Sequence, residues 1–207
     1  MSFYDKYILP SFLNCACGSK PIKYQRSKVV PLAEGVVLEV GIGSGLNIPY
    51  YDSTKISAII GLDPSEELNN MARKVAADNG LEVDFILGSA EAIPLPDNHV
   101  DSVLVTYTLC TIPDALSASK EMRRVLKPDG KIIFCEHGLA PDAGVAKWQA
   151  RIDPYWEKIA GGCHLNRDIP QLIQSAGFKI QSMEQMYLPS TPKFAGYNYW
   201  GVATCLS

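Results

Sequence analysis

Val36-Val37-Leu38-Glu39-Val40-Gly41-Ile42-Gly43-Ser44-Gly45 joins a short valine-rich apolar run to glycine at every second position. An apolar run of this length and composition reads as a strand buried on both faces. The glycines that end it permit a tight turn and let a ligand approach the backbone closely. A dinucleotide fingerprint, Gly-x-Gly-x-x-Gly, would need its third glycine at position 46, where Leu46 stands. Glu39, just before the first glycine, would face an anionic pyrophosphate poorly. A carboxylate there suits a ligand carrying positive charge, such as an α-amino group or a sulfonium. A glycine turn with no ligand is the alternative that this stretch alone leaves open.

Outward from that loop, strands and helices alternate. Residues 45–51 suit a short helix whose amides point at a ligand, with Asn47 in its first turn. Ala58 to Ser65 is a second buried strand that ends in Asp63-Pro64, 24 residues after Glu39. An acid about 20 residues beyond a glycine loop meets a ribose in doubly wound nucleotide folds; otherwise Asp63 caps the next helix, which runs over 66–79. Val83 to Leu87 is a third strand leading into Gly88-Ser89-Ala90-Glu91-Ala92-Ile93-Pro94. Ser102 to Thr106 is a fourth, followed by Tyr107-Thr108-Leu109-Cys110 and by a helix from the cap Asp114 to Leu126. Leu126-Lys127-Pro128-Asp129-Gly130-Lys131 stops that helix and turns into a fifth strand, Ile132 to Cys135, with Glu136-His137 at its end. Asp168 to Ala176 is a further helix. Phe178 to Leu188 and Ala195 to Cys205 read as an antiparallel pair on the sheet edge.

Seven strands alternating with helices predict an α/β fold. The sheet is Rossmann-like and mostly parallel, with helices on both faces and an antiparallel final strand. The 207 residues make one domain with room for a large core. Residues 1–34 form a helical cap, and 140–167 an aromatic insertion bearing Trp148 and Trp156 over the substrate site. Phe3, Tyr4, Tyr7, Ile8 and Phe12 recur at roughly helical spacing, which suits a terminal helix packed on the domain; a lid or a surface touching lipid is the functional alternative.

A net charge of −3 gives no electrostatic footprint for nucleic acid. No apolar run reaches the 18 or so residues of a membrane span, and the start has no signal-peptide pattern, so a cytoplasmic location is expected. The six cysteines match no zinc spacing, so no metal is expected; free thiols are the simplest reading. Nothing in the sequence sets an oligomeric state.

From residue 36 to the C-terminus these motifs resemble the class I S-adenosylmethionine-dependent methyltransferases of type 11. They carry Glu-x-Gly-x-Gly-x-Gly, the strand-end Asp63, the Gly-Ser-Ala-Glu-x-Ile-Pro loop, and Leu-Lys-Pro-Asp-Gly before strand five. Leu109-Cys110, Cys135-Glu136-His137, Trp148-Gln149, Pro154-x-Trp156 and Gly162-Cys163-x-Leu165-x-Arg167 are similar to the branch that holds the animal alkyl-thiol S-methyltransferases.

The resemblance implies S-adenosylmethionine as cofactor and a small, apolar methyl acceptor, with a thiol as first choice. The implied cofactor residues are Glu39, Gly41, Gly43, Gly45, Asn47, Asp63, Pro64, Ser89, Ala90, Glu91 and Thr106. The implied acceptor pocket is Tyr107, Cys110, Glu136, Trp148 and Trp156. His137 either takes a proton from the acceptor or only shapes the pocket. Methylation of a phospholipid headgroup or a quinone-like carbon is the alternative within this class. A non-catalytic S-adenosylmethionine-binding protein is the alternative outside it.

Overall fold

A computed structural model describes residues 17–206. The aromatic segment 1–13, and with it much of the expected helical cap, lies outside the described residues. The described chain begins with α1 (Lys20–Val29) and a single 3-10 turn, Val30–Leu32. The core follows as β1 (Gly35–Val40), β2 (Ile56–Asp63), α2 (Glu66–Asp78), β3 (Asp84–Leu87), β4 (Val100–Thr106), α3 (Ala115–Val125) and β5 (Leu126–His137). It closes with α4 (Ala143–Ile159), α5 (Ile169–Ser175), β6 (Phe178–Tyr187), the short α6 (Lys193–Gly196) and β7 (Tyr197–Cys205).

The seven strands form one sheet in the order β3-β2-β1-β4-β5-β7-β6. β7 alone runs against its neighbours, antiparallel to both β5 and β6. The final two strands form the expected antiparallel pair at that edge of the sheet, with β7 inserted between β5 and β6 and β6 outermost. β5 also starts earlier than its apolar run suggests. Leu126 already pairs with Val100, and a shift in register then brings Lys131 opposite Ser102.

Alternation along the strands divides the core between the two faces of the sheet. Leu38, Val40, Val103, Val105, Ile132 and Phe134 pack with Ala118 and Met122 of α3 and Ile169 and Ile173 of α5. Val37, Leu104, Ile133 and Cys135 point the other way and meet Val29 and Val30 at the end of α1. The helix starts follow the sequence closely. Ser65 accepts from Leu68 N at the start of α2, Asp114 from Ser117 N at α3, and Asp168 from Gln171 N at α5.

After β1 the chain winds outward through β2 and β3, then returns to the other side of β1 as β4. Ligands of open α/β sheets bind at such a switch point, beyond the carboxyl ends of the strands. A cavity of about 500 Å³ lies there, between the turn after β1 and the turn after β4.

Candidate functional site

The glycine loop forms one wall of the cavity. Its first two amides, Gly41 N and Ile42 N, both donate to Leu62 O, at 2.8 and 3.2 Å. Gly43 N donates to Asp63 Oδ2 at 3.0 Å, and Ser65 N donates to Asp63 Oδ1 at 2.8 Å. The strand-end carboxylate thus holds the loop to the start of α2 while itself lining the cavity. Burial raises the Asp63 carboxyl above its ordinary range, against these two backbone donors. Helix α2 is capped by Ser65, not by Asp63.

The glycines do different work. Gly41 has φ +72°, and a Cβ there would meet Thr108 Cγ2 at 2.3 Å, so the loop lies directly on the turn after β4. Gly43 has φ +54°, and a Cβ there would meet nothing nearer than 3.9 Å. Gly45 is packed on Ala72 of α2.

Beneath the loop is a buried polar chain that composition could not reveal. Arg26 of α1, 5% exposed, donates through Nη1 to Asn47 Oδ1 at 2.6 Å and to Thr106 Oγ1 at 2.7 Å. Asn47 passes its amide protons to Glu39 Oε1 at 2.9 Å and to Thr106 Oγ1 at 2.9 Å. Tyr51 OH donates to Glu39 Oε2 at 2.6 Å. Burial pushes the Glu39 carboxyl up to about 7, although Tyr51, Asn47 and Arg26 all favour its charged form. Both Glu39 oxygens and the Asn47 side chain are therefore committed to this chain. Neither of these two expected cofactor residues lines the cavity. Arg26 does line it. Arg26 stands in the segment expected as a helical cap, where no motif marks it.

Farther along, Gly88, Ser89, Ala90, Ile112 and Pro113 form a second wall. Glu91 is not part of it. Its carboxylate accepts from Ser89 Oγ at 2.9 Å and from Asp114 N at 2.8 Å, which ties the loop after β3 to the start of α3.

The third wall is the turn Tyr107-Thr108, with Thr111 and the thiol-bearing Cys17. Tyr107 is in the left-handed region, φ +54°, a costly conformation for an aromatic residue that recurs at functional sites. Its N–H donates to Cys135 O at 2.8 Å and its hydroxyl to Asn198 Oδ1 at 2.6 Å. Glu136 Oε1 accepts from the next two amides, Thr108 N at 2.8 Å and Leu109 N at 3.2 Å. Glu136 is thus fully buried behind the turn and is not among the residues that line the cavity.

The remaining expected residues fall outside the cavity. His137 Nε2 is 3.2 Å from Cys163 Sγ, and the Cys110 sulfur is 3.5 Å from Thr111 Oγ1. Trp156 packs against Cys110 and Cys163 and meets Phe194 edge-on, with ring centroids 6.0 Å apart. Trp148 is on the surface, 60% exposed, because α4 turns its neighbour Gln149 inward instead. Gln149 accepts from Ala140 N and donates to Gly138 O, Leu165 O and Phe194 O, all within 2.9–3.0 Å. The expected aromatic insertion is therefore a helix clamped to the sheet by a buried glutamine. Of its two tryptophans, neither reaches the cavity.

Pro64, Gly41, Gly43, Asp63, Ser89, Ala90, Thr106 and Tyr107 are brought together around one space. Among the described residues, Arg26 is the only basic side chain lining it, and Asp63 and Glu67 are the acids. Much of the rest is apolar, including Val40, Ile42, Leu46, Leu62, Leu68 and Ile112. The Arg26 Nε is buried without a partner. One buried cation, two acids and an apolar slot suit a ligand with a carboxylate, positive groups and a flat heterocycle.

Residues 38–134 match the family model described as a methyltransferase domain. The thiol S-methyltransferase TMT1B of Rattus norvegicus is 32% identical over 173 residues, covering 79% of this chain and 70% of that protein. This chain belongs to the class I S-adenosylmethionine-dependent methyltransferases. The phosphatidylethanolamine N-methyltransferase of Cereibacter sphaeroides is 33% identical over 124 residues, 58% of this chain and 60% of that one. Among solved structures, an S-adenosylmethionine-dependent methyltransferase from Aquifex aeolicus shares the fold, with a TM-score of 0.64 at 22% identity. It covers 95% of this chain and 98% of its own. The methyltransferase therefore uses S-adenosylmethionine, and the chemistry of the cavity walls accords with it. No helix among the described residues is long and apolar enough to cross a membrane.

Proposed function

We propose that this methyltransferase transfers a methyl group to a small apolar acceptor, with an alkyl thiol as the first choice. The observation that carries the thiol is the likeness to TMT1B over most of both chains. When bound, S-adenosylmethionine supplies an already electrophilic sulfonium methyl. The protein's task is then to align, to desolvate and to exclude water.

In this reading Asp63 accepts from ribose hydroxyls with the lone pairs left over from Gly43 and Ser65. The Arg26 guanidinium binds the cofactor carboxylate, and Ser89 and Ala90 edge the base. Glu39 and Asn47 act one layer down: they fix Arg26 and Thr106 and touch no ligand. Glu91 and Glu136 are positioning residues for the turns that form two of the walls. Tyr107, Thr108, Thr111 and Cys17 border the acceptor side.

A thiol with pKa near 8.5 is already a few per cent thiolate at pH 7, so it needs little activation. A cavity with no histidine in its walls among the described residues suits such an acceptor. The pairing of His137 with Cys163 supports a pocket-shaping role for His137 over that of a base.

The test is methyl transfer from labelled S-adenosylmethionine to alkyl thiols, with amines, phosphatidylethanolamine vesicles and quinols beside them. Thiol methylation is the expected result. Transfer only to phosphatidylethanolamine would favour the second reading, which the Cereibacter sphaeroides relative supports. Cofactor binding without transfer to any of them would overturn both.

A further inference from the structure

Sequence spacing pairs none of the cysteines with a metal, yet the fold gathers a ligand set from three separate segments. Cys110 follows β4, His137 ends β5, and Cys163 follows α4; one nitrogen and two sulfurs all lie within 4.8 Å of one another. We propose that Cys110, His137 and Cys163 form a binding site for a thiophilic divalent cation, zinc foremost.

The distances suit that ion. Tetrahedral zinc, with bonds of about 2.3 Å to sulfur and 2.0 Å to nitrogen, keeps its ligand atoms roughly 3.5–3.8 Å apart. His137 Nε2 and Cys163 Sγ are at 3.2 Å. Small side-chain rotations close the set. Two thiolates and an imidazole select zinc-like ions over the hard, oxygen-loving ones. Both cysteines are free of disulfides.

The frame behind the ligands is rigid. His164 N donates to Cys110 O at 2.8 Å. Asp153 holds Leu165 N at 2.6 Å and His164 Nδ1 at 2.9 Å. Arg167 donates to Leu109 O. Trp156 packs on the cluster, its indole N–H buried beside the Cys163 sulfur. A buried N–H calls for a good acceptor. Neutral thiols accept hydrogen bonds weakly, whereas a metal-bound thiolate accepts them well.

Three protein ligands leave one tetrahedral position for a water or another small ligand. The site adjoins the cavity, since Thr111 lines the cavity and touches the Cys110 sulfur. The cation would hold the turn after β4 to the ends of β5 and α4, whichever acceptor the enzyme uses.

The experiment uses the full chain, purified under reducing conditions without a metal-binding tag, stripped with a chelator and titrated with Co2+. One equivalent should give intense tetrahedral bands and thiolate charge-transfer absorption, both displaced by Zn2+. Cys110→Ser and Cys163→Ser should each weaken binding at least tenfold, while circular dichroism and S-adenosylmethionine binding report whether they fold. A readout on the unaltered chain runs alongside: Zn2+ should slow alkylation of Cys110 and Cys163 at least tenfold and leave Cys205 unchanged. Absence of the bands, bands that survive in both serine variants, or alkylation rates indifferent to Zn2+ would each overturn the site.

Discussion

Arg26 and Thr106 are joined by a hydrogen bond of 2.7 Å although 80 residues separate them. The bond fastens the first described helix to the end of the central strand β4 and fixes the guanidinium at the cavity floor. Arg26→Ala should weaken S-adenosylmethionine binding about ten- to a hundred-fold, the worth of a charge-assisted hydrogen bond of roughly 1.5–3 kcal/mol. Calorimetry measures it, and a melting curve separates fold from binding. A lower melting temperature with unchanged affinity would reduce Arg26 to a brace.

Asp63→Ala should be more severe for binding than for folding. It removes the acceptor for Gly43 N and Ser65 N and, in our reading, the ribose contact. We expect a loss of cofactor affinity of at least tenfold. Equal affinity in the variant would sink the ribose assignment.

Two glycines of one loop should answer differently to the same methyl group. Gly43→Ala meets only the left-handed backbone cost, about 1–2 kcal/mol, because no atom lies nearer than 3.9 Å. Its methyl group projects into open space beside the cavity, so affinity should fall while the melting temperature drops only a few degrees. Gly41→Ala adds a collision with Thr108 at 2.3 Å, for a total of about 2–5 kcal/mol. Its melting temperature should fall by about 5–15 °C. Indistinguishable melting curves would mean that the loop does not rest on Thr108 as described.

Glu39 makes stability depend on pH in an unusual direction. Its carboxyl titrates near 7 in the fold against an ordinary 4.5, chiefly because it is buried. Between those values the folded protein holds a proton that the unfolded chain has released, so stability is greatest at the acid end of the window and declines as pH rises. The raised Asp63 and Glu136 carboxyls act in the same sense. Denaturant titrations from pH 5 to 7.5 should show the decline, and Glu39→Gln should flatten part of it. Parallel slopes for the two proteins would remove Glu39 as its source.

The pattern of the sheet was legible because apolar runs, glycine turns and capping acids act locally, and local signals survive in sequence. Asp114 and Asp168 were readable as helix starts for that reason. The position of β7 was not, since an antiparallel strand carries no local mark of which neighbour it chooses. Of the residues that line the cavity, Gly41, Gly43, Asp63, Ser89 and Thr106 were readable as positions at or after strand ends. Arg26 was missed because its partners Asn47 and Thr106 are distant in sequence. Trp148 was misread because an aromatic residue beside a buried glutamine looks alike whichever of the two turns inward. Cys110, His137 and Cys163 meet only in three dimensions, so motif spacing could not show them as a group.

The insertion of β7 between β5 and β6 has a bearing on synthesis. β6 has no sheet neighbour except β7, and β7 is the last strand to leave the ribosome. Until Tyr197–Cys205 emerges, β5 presents a bare edge and β6 has nowhere to dock. Completion of the sheet therefore waits for the synthesis of β7, and a nascent chain stalled short of it would expose two strand edges to the cell's chaperones at once.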